Sequence, residues 1–287
     1  MITDFKMFEA NTAKIGIVGI PSGEYIELPI DQFYVLNDRG FLEYNHDLRF
    51  LSFKDKDYKN IMSIIDSSEK TKIKKFLSDI GVKRYKINDD YTIDVIESMK
   101  IRIPMDNLPV KFDYIMGDFD ISGCGLTSLM GCPETIDGNF ICTNNMLKDL
   151  SMGPTQVLKN YDVRQSGLYS LEGSPEKVGG NFDCSYNNLA NLKGSPKFVD
   201  GSFYCSNCLL TSLNGAPDIV SDDFDCSYNL LHSLFGGPDI ISGKYDCSYN
   251  DIMTLNNGPT FVGSFKCDGN TKLPKDARKP VNFGQKN

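Results

Sequence analysis

Proline recurs every 21 residues through nearly half of this chain, at Pro133, Pro154, Pro175, Pro196, Pro217, Pro238 and Pro259. Leucine keeps the same step at Leu129, Leu150, Leu171, Leu192, Leu213, Leu234 and Leu255. A second apolar row runs Leu126, Leu147, Leu168, Leu189, Leu210, Leu231 and Ile252. Aromatics stand at Phe119, Phe140, Tyr161, Phe182, Phe203, Phe224 and Tyr245, with Phe265 one residue early. Two positions after each aromatic come Ile121, Cys142, Val163, Cys184, Cys205, Cys226, Cys247 and Cys267. Rows that share one register over seven units leave a stacked repeat as the fold. A single unit has too little core of its own, so each coil buries its apolar face against its neighbours.

One unit reads "VGGNFDCSYNNLANLKGSP". Phe182 and Cys184 are two apart, so a short strand points both to one face, inward. Asn187 opens the bend, where its carboxamide can bond backbone groups that the turn leaves unpaired. Leu189 and Leu192 fill the next side, and Gly-x-Pro turns the chain without a helix. The stretch "FYCSNC" carries a Cys-x-x-Cys spacing that elsewhere signals a metal pair or a redox dithiol. The period splits it: Cys205 lies in the inward row, and Cys208 in the turn row with Cys124, Asn145, Ser166, Asn187, Asn229, Asn250 and Asn270. Both then read as packed thiols. His46 and His232 are the chain's two histidines, so neither metal nor cofactor is expected.

The core pattern F-x-C-x-x-N-x-L-x-x-L resembles the leucine-rich repeat, in the short bacterial form of 20–21 residues that lacks outer helices. With Gly-x-Pro it is also similar to repeat proteins carried by large tailed bacteriophages. The resemblance covers about residues 105–270. It implies a parallel concave sheet, a recognition role, and, for a phage-encoded protein, the host cytoplasm as its place of action. Phe and Cys stand where the family has Leu, which keeps the coil and leaves the partner open.

The remaining chain is read from patterning. Residues 14–53 hold short apolar runs ("KIGIVGI", "EYIELPI", "QFYVLN", "LRFLSF") between "PSG" and "NDRG", a small, mostly antiparallel sheet. "GIVGIPSGEY" fails as a phosphate loop, because Glu24 and Tyr25 follow Gly23 where Lys and Ser/Thr are needed. Two helices are expected next: about 57–66 with Asp57 as cap, then from Ser67 or Ser68 to Gly81 with Ile73, Phe76, Leu77 and Ile80 on one face. Lys70, Lys72, Lys74 and Lys75 on the other face could touch nucleic acid, although Glu69 and Asp79 among them favour a solvated surface. The expected organisation is an α+β domain at 1–88, a cap and degenerate first coil at 89–116, a leucine-rich solenoid at 117–270, and a basic tail at 271–287.

Charge and composition narrow the function. Residues 107–270 carry 9 Lys/Arg against 19 Asp/Glu, within a net charge of −8 for the chain, which disfavours phosphate-backbone partners. No apolar run approaches a membrane span. The N-terminus has no apolar leader core, and an odd count of nine cysteines suits reduced thiols, so a cytoplasmic setting is expected. No catalytic constellation stands out from the repeat phase. Partner-binding residues are expected where the strands point outward: Asp120, Asp162, Asp183, Tyr204, Asp225 and Asp246 one step after the aromatic, and Tyr186, Tyr228 and Tyr249 four steps after. Like charges on neighbouring strands cost a few tenths of a kcal/mol, roughly. A basic protein partner would relieve them; inherited duplication of an acidic unit explains them equally. The alternative role is a structural virion or assembly component that uses the coil as a docking surface.

Overall fold

In the computed structural model the described residues are the backbone of 12–16, 25–29, 42–45, 50–53 and 58–65, and the whole of 66–274. The expected turns at "PSG" and "NDRG", the cap Asp57, His46 and the tail beyond 274 lie outside them. The chain divides into two compact units, Met1–Lys75 and Phe76–Asn287. In the first, β1 (Thr12–Gly16), β2 (Tyr25–Pro29), β3 (Leu42–Asn45) and β4 (Phe50–Phe53) form a four-stranded sheet in the order β2-β1-β4-β3. β1–β2 and β3–β4 pair antiparallel, and β1–β4 parallel.

One helix, α1 (Tyr58–Asp79), replaces the two expected. Ser67 and Ser68 do not cap a second segment, because no glycine or proline interrupts the ladder there and the Thr71 hydroxyl donates to the Ser67 carbonyl at 2.6 Å. The helix ends at Gly81, where φ is +78°. There Val82 N–H donates to Leu77 O and Gly81 N–H to Ser78 O, the paired bonds of a Schellman stop.

From Tyr85 to Lys266 the chain is a β-solenoid. Strand β5 (Tyr85–Ile87) pairs antiparallel with β6 (Ile93–Val95) and closes the first coil. β6 and β7 (Met99–Lys100) then open two parallel ladders. Ladder one continues through Phe112–Ile115, Thr135–Ile136, Gln156–Val157, Lys177–Val178, Phe198–Val199, Ile219–Val220, Ile240–Ile241 and Phe261–Val262. Ladder two carries the aromatics: Phe119↔Phe140↔Tyr161↔Phe182↔Phe203↔Phe224↔Tyr245↔Phe265. The 21-residue period thus becomes a one-rung step.

The core follows the alternation read from the sequence. Phe182, Cys184, Leu189 and Leu192 are fully buried, as are their counterparts Phe203, Cys205, Leu210 and Leu213. Burying each such leucine or phenylalanine contributes about 1.5–3 kcal/mol before chain entropy is offset. The rings form a continuous column; Phe182–Phe203 and Phe203–Phe224 stack at 5.3 and 5.7 Å within 11° of parallel.

Each coil makes two left-handed turns. At the second, Gly173 has φ +92°, and a β-carbon there would collide with the Leu150 carbonyl of the coil before, so glycine is required by space as well as by conformation. At the first, four steps past the aromatic, the backbone is left-handed, and nothing lies within 4 Å of a β-carbon built on Gly123, although at Gly269 one would meet the Tyr249 ring at 2.4 Å. Side chains therefore occur in this row.

Candidate functional site

The buried turn row is a polar ladder. Asn229 is 6% exposed, and its Nδ2 donates to Cys205 O and Cys226 O, both at 3.0 Å. Its Oδ1 accepts from Cys208 N and Leu210 N, both at 3.1 Å. Asn145, Asn187, Asn250 and Asn270 repeat the donor pair to their own coil and the one before. Where asparagine is missing, Ser166 Oγ and the Cys208 thiol donate to the same carbonyl of the preceding coil, at 2.7 and 3.3 Å. Cys208 is thus a substitute rung. Cys205 faces the core in another row, and the Cys-x-x-Cys spacing joins two unrelated positions. Burial pushes both thiols up, Cys208 to about 11, which keeps them protonated at neutral pH. Among the described residues no three His, Cys, Asp or Glu side chains are placed to hold a metal ion.

A second polar ladder, missed in the sequence, runs along the corner before each aromatic. Asn139, Asn160, Asn181 and Asp223 each accept with Oδ1 the N–H of the equivalent residue one coil on, at 2.7–3.1 Å. The signal was a row of Asp, Asn and Ser at 118, 139, 160, 181, 202 and 223.

The outward aspartates are less available than their alternation implied. Asp120, Asp183, Asp225 and Asp246 each accept, through Oδ1, the N–H of the serine two residues later, at 2.9–3.1 Å. Asp162 does the same with Arg164 N–H. This local loop orients the strand end before the left-handed residue, so the Asp row has a structural role that neither a basic partner nor duplication requires. Most of its charge is answered within the chain. Arg102 and Lys100 hold Asp120, Arg164 spans Asp162 (2.7 Å) and Asp183 (3.4 Å), and Lys244 and Lys266 flank Asp246 (3.4 and 3.6 Å). Burial pushes the Asp120 and Asp246 carboxyls up, but their serine hydrogen bonds and the nearby cations outweigh it and hold both below the usual range. At Asp183 burial wins and the carboxyl is raised. Tyr204 takes the aspartate position in its coil and is half-buried.

The tyrosines are the exposed part of this face. Tyr186, Tyr228 and Tyr249 are 55%, 51% and 48% exposed, all with φ of 55–60°. Tyr228 and Tyr249 stack at 4.4 Å and 11°. Leu209 and Leu230, exposed two positions beyond the left-handed row, extend the patch. A second exposed row, also missed in the sequence, lies on ladder one: Phe198, Ile219, Ile240 and Phe261 on successive rungs, the last three 44–62% exposed.

The lysine face of α1 is partly answered in place. Lys70 pairs with Asp66 at 2.9 Å and Lys72 with Glu69 at 3.0 Å, while Lys74 and Lys75 are exposed. Among the described residues no helix is long and apolar enough to cross a membrane. His232 is exposed, its Nδ1 3.1 Å from the Leu230 carbonyl. No protein-family model, curated protein or solved structure matches this chain.

Proposed function

We propose that this chain is a non-catalytic protein-binding module, a leucine-rich-type solenoid that recognises its partner through the tyrosine-bearing face of ladder two. The observation that carries this reading is the conformation of Tyr186, Tyr228 and Tyr249. A left-handed backbone costs a residue with a β-carbon about 1 kcal/mol or more. Asparagine or glycine, which stand at Asn144, Asn207, Gly123 and Gly269 in the same row, carries less of that cost. Three large rings held in this conformation with half their surface exposed are expensive for stability and well suited to contact, since tyrosine gives wide amphipathic area with few rotatable bonds. The partner brings a basic surface to Asp225 and the tyrosines, and the setting is cytoplasmic, the host cytoplasm for a phage-encoded chain.

The test is capture from a lysate of the encoding organism, or of its host, on immobilised protein. Tyr186→Asn, Tyr228→Asn and Tyr249→Asn are combined, because asparagine suits the backbone and preserves the fold. Loss of a specific, salt-sensitive partner supports the site; equal capture by both proteins refutes it. The alternative role, an assembly component docked through the coil, is favoured by the row Ile219, Ile240 and Phe261. It predicts that Ile219→Lys with Ile240→Lys, and not the tyrosine variant, disrupts assembly.

A further inference from the structure

The outward row contains its own template for what it binds. In the coil beginning at Tyr161, Arg164 lies three steps past the aromatic and reaches two aspartates on adjacent rungs. It meets Asp162 through two nitrogens, at 2.9 and 2.7 Å, and Asp183 at 3.4 Å. Tyr186 stands three residues beyond Asp183, on the left-handed row of that next coil. An arginine, two neighbouring carboxylates and a left-handed tyrosine therefore form one unit. The same acidic and aromatic parts recur three coils on: Asp225 and Asp246 are paired in register, and Tyr249, the counterpart of Tyr186, follows Asp246 on the left-handed row, stacked against Tyr228. The position equivalent to Arg164 is Ser227. Asp246 is answered by Lys244 and Lys266, but among the described residues Asp225 has no ion pair. Ser227 N–H occupies its Oδ1 at 2.9 Å.

We propose that this place takes an arginine side chain from a protein partner, its guanidinium on Asp225 and its flat face against the exposed side of the Tyr228–Tyr249 stack. The guanidinium fork suits a carboxylate edge and an aromatic face together, which an ammonium group does not. This inference rests on the tyrosine face being the binding site and adds the chemistry of the residue it receives.

The probe is Nα-acetyl-arginine amide, titrated into full-length protein carrying ring-labelled tyrosine and followed by NMR. Nα-acetyl-citrulline amide serves as the uncharged control. The arginine compound shifts Tyr228 and Tyr249 resonances saturably and the citrulline compound does not. Asp225→Asn weakens the interaction about three- to fivefold, the span of one exposed ion pair near an aromatic face. Asp239→Asn, the same charge change beside ladder one, leaves it unaltered. Ser227→Arg fills the seat from within and abolishes the shift, and Arg164→Ser opens a second seat that moves Tyr186. Circular dichroism checks that each variant is folded, and Asp225→Asn carries the test if Ser227→Arg is not. Equal shifts with citrulline, or indifference to both Asp225→Asn and Ser227→Arg, overturn the proposal. If the captured partner is lost from the triple tyrosine variant yet kept by Asp225→Asn and Ser227→Arg, the arginine seat fails while the binding face stands. If all of them keep it, the face itself is wrong.

Discussion

Replacing Asn229 by alanine tests whether the buried asparagine row, rather than the apolar rows alone, holds one coil on the next. The carboxamide makes two bonds to its own coil (Cys226 O, 3.0 Å; Ser227 O, 3.2 Å) and three to the preceding one (Cys205 O, 3.0 Å; Cys208 N and Leu210 N, 3.1 Å). The truncated side chain leaves two N–H groups without acceptors at a site only 6% exposed. Each orphaned buried group costs about 1–3 kcal/mol, so the expected loss for two is about 2–6 kcal/mol. Asn229→Asp keeps the acceptor and loses the donors, and falls between. Cys208→Asn runs the other way: it replaces a sulfur by a carboxamide where Asn187 N–H and Leu189 N–H already point. It should stabilise by about 1 kcal/mol, the net worth of a typical bond. Urea unfolding followed by circular dichroism reads all three. A loss below about 1 kcal/mol for Asn229→Ala would refute the reasoning, because no desolvated orphan is that cheap.

Four other outcomes follow from the same coordinates. Tyr161 and Tyr245 bury hydroxyls with no hydrogen-bond partner in a row otherwise built of phenylalanine; Tyr161→Phe should stabilise by about 1 kcal/mol in the same urea assay. Asp246 has a lowered carboxyl, so its contribution is full above the unfolded value near 4 and is lost as pH falls through the folded one; Asp246→Asn should lower Tm at pH 7, and the difference should shrink as the pH is taken down through that folded value. Asp183 has a raised carboxyl that costs stability at neutral pH and ceases to do so as pH falls through it; Asp183→Asn, which keeps the acceptor for Ser185 N–H, should raise Tm at pH 7, and the gain should vanish in acid. Eight cysteines are buried and Cys267 is half-exposed, so an aromatic disulfide reagent should label one thiol rapidly in the native protein and all nine in denaturant.

The ladders were legible because repetition turns a weak local signal into a strong one. No single aromatic-x-apolar pair predicts a buried strand, but seven in phase do, and Phe182 and Cys184 lie where that spacing put them. The asparagine row was legible for the same reason. The helix break at Ser67 was not: serine favours caps, yet it also sits inside a helix when nothing nearby breaks the ladder. The outward aspartates misled for a different reason. Alternation gives the direction of Asp225 or Asp246, but not that the oxygen folds back onto an N–H two residues along. Nor does it show that a lysine one strand away reaches across. The left-handed turn beneath Tyr186 was hidden too, since that row contains Tyr, Asn, Gln and Gly, and only the backbone shows what they share.

The coil-to-coil junctions along ladder two are made from the same kinds of part: a ring on a ring, a carboxamide or its serine or cysteine stand-in under a carbonyl of the coil before, and at most corners a side-chain oxygen under an N–H. Such junctions carry no address. A unit of 21 residues excised between equivalent points leaves a junction of the kind it replaced, and a duplicated unit does likewise. The number of coils is therefore a free variable for evolution, open to change by unequal recombination of the gene without redesign of the core. The side chains of the left-handed row travel with each unit, so the same event that alters this number also rewrites the outward pattern of rings and charges.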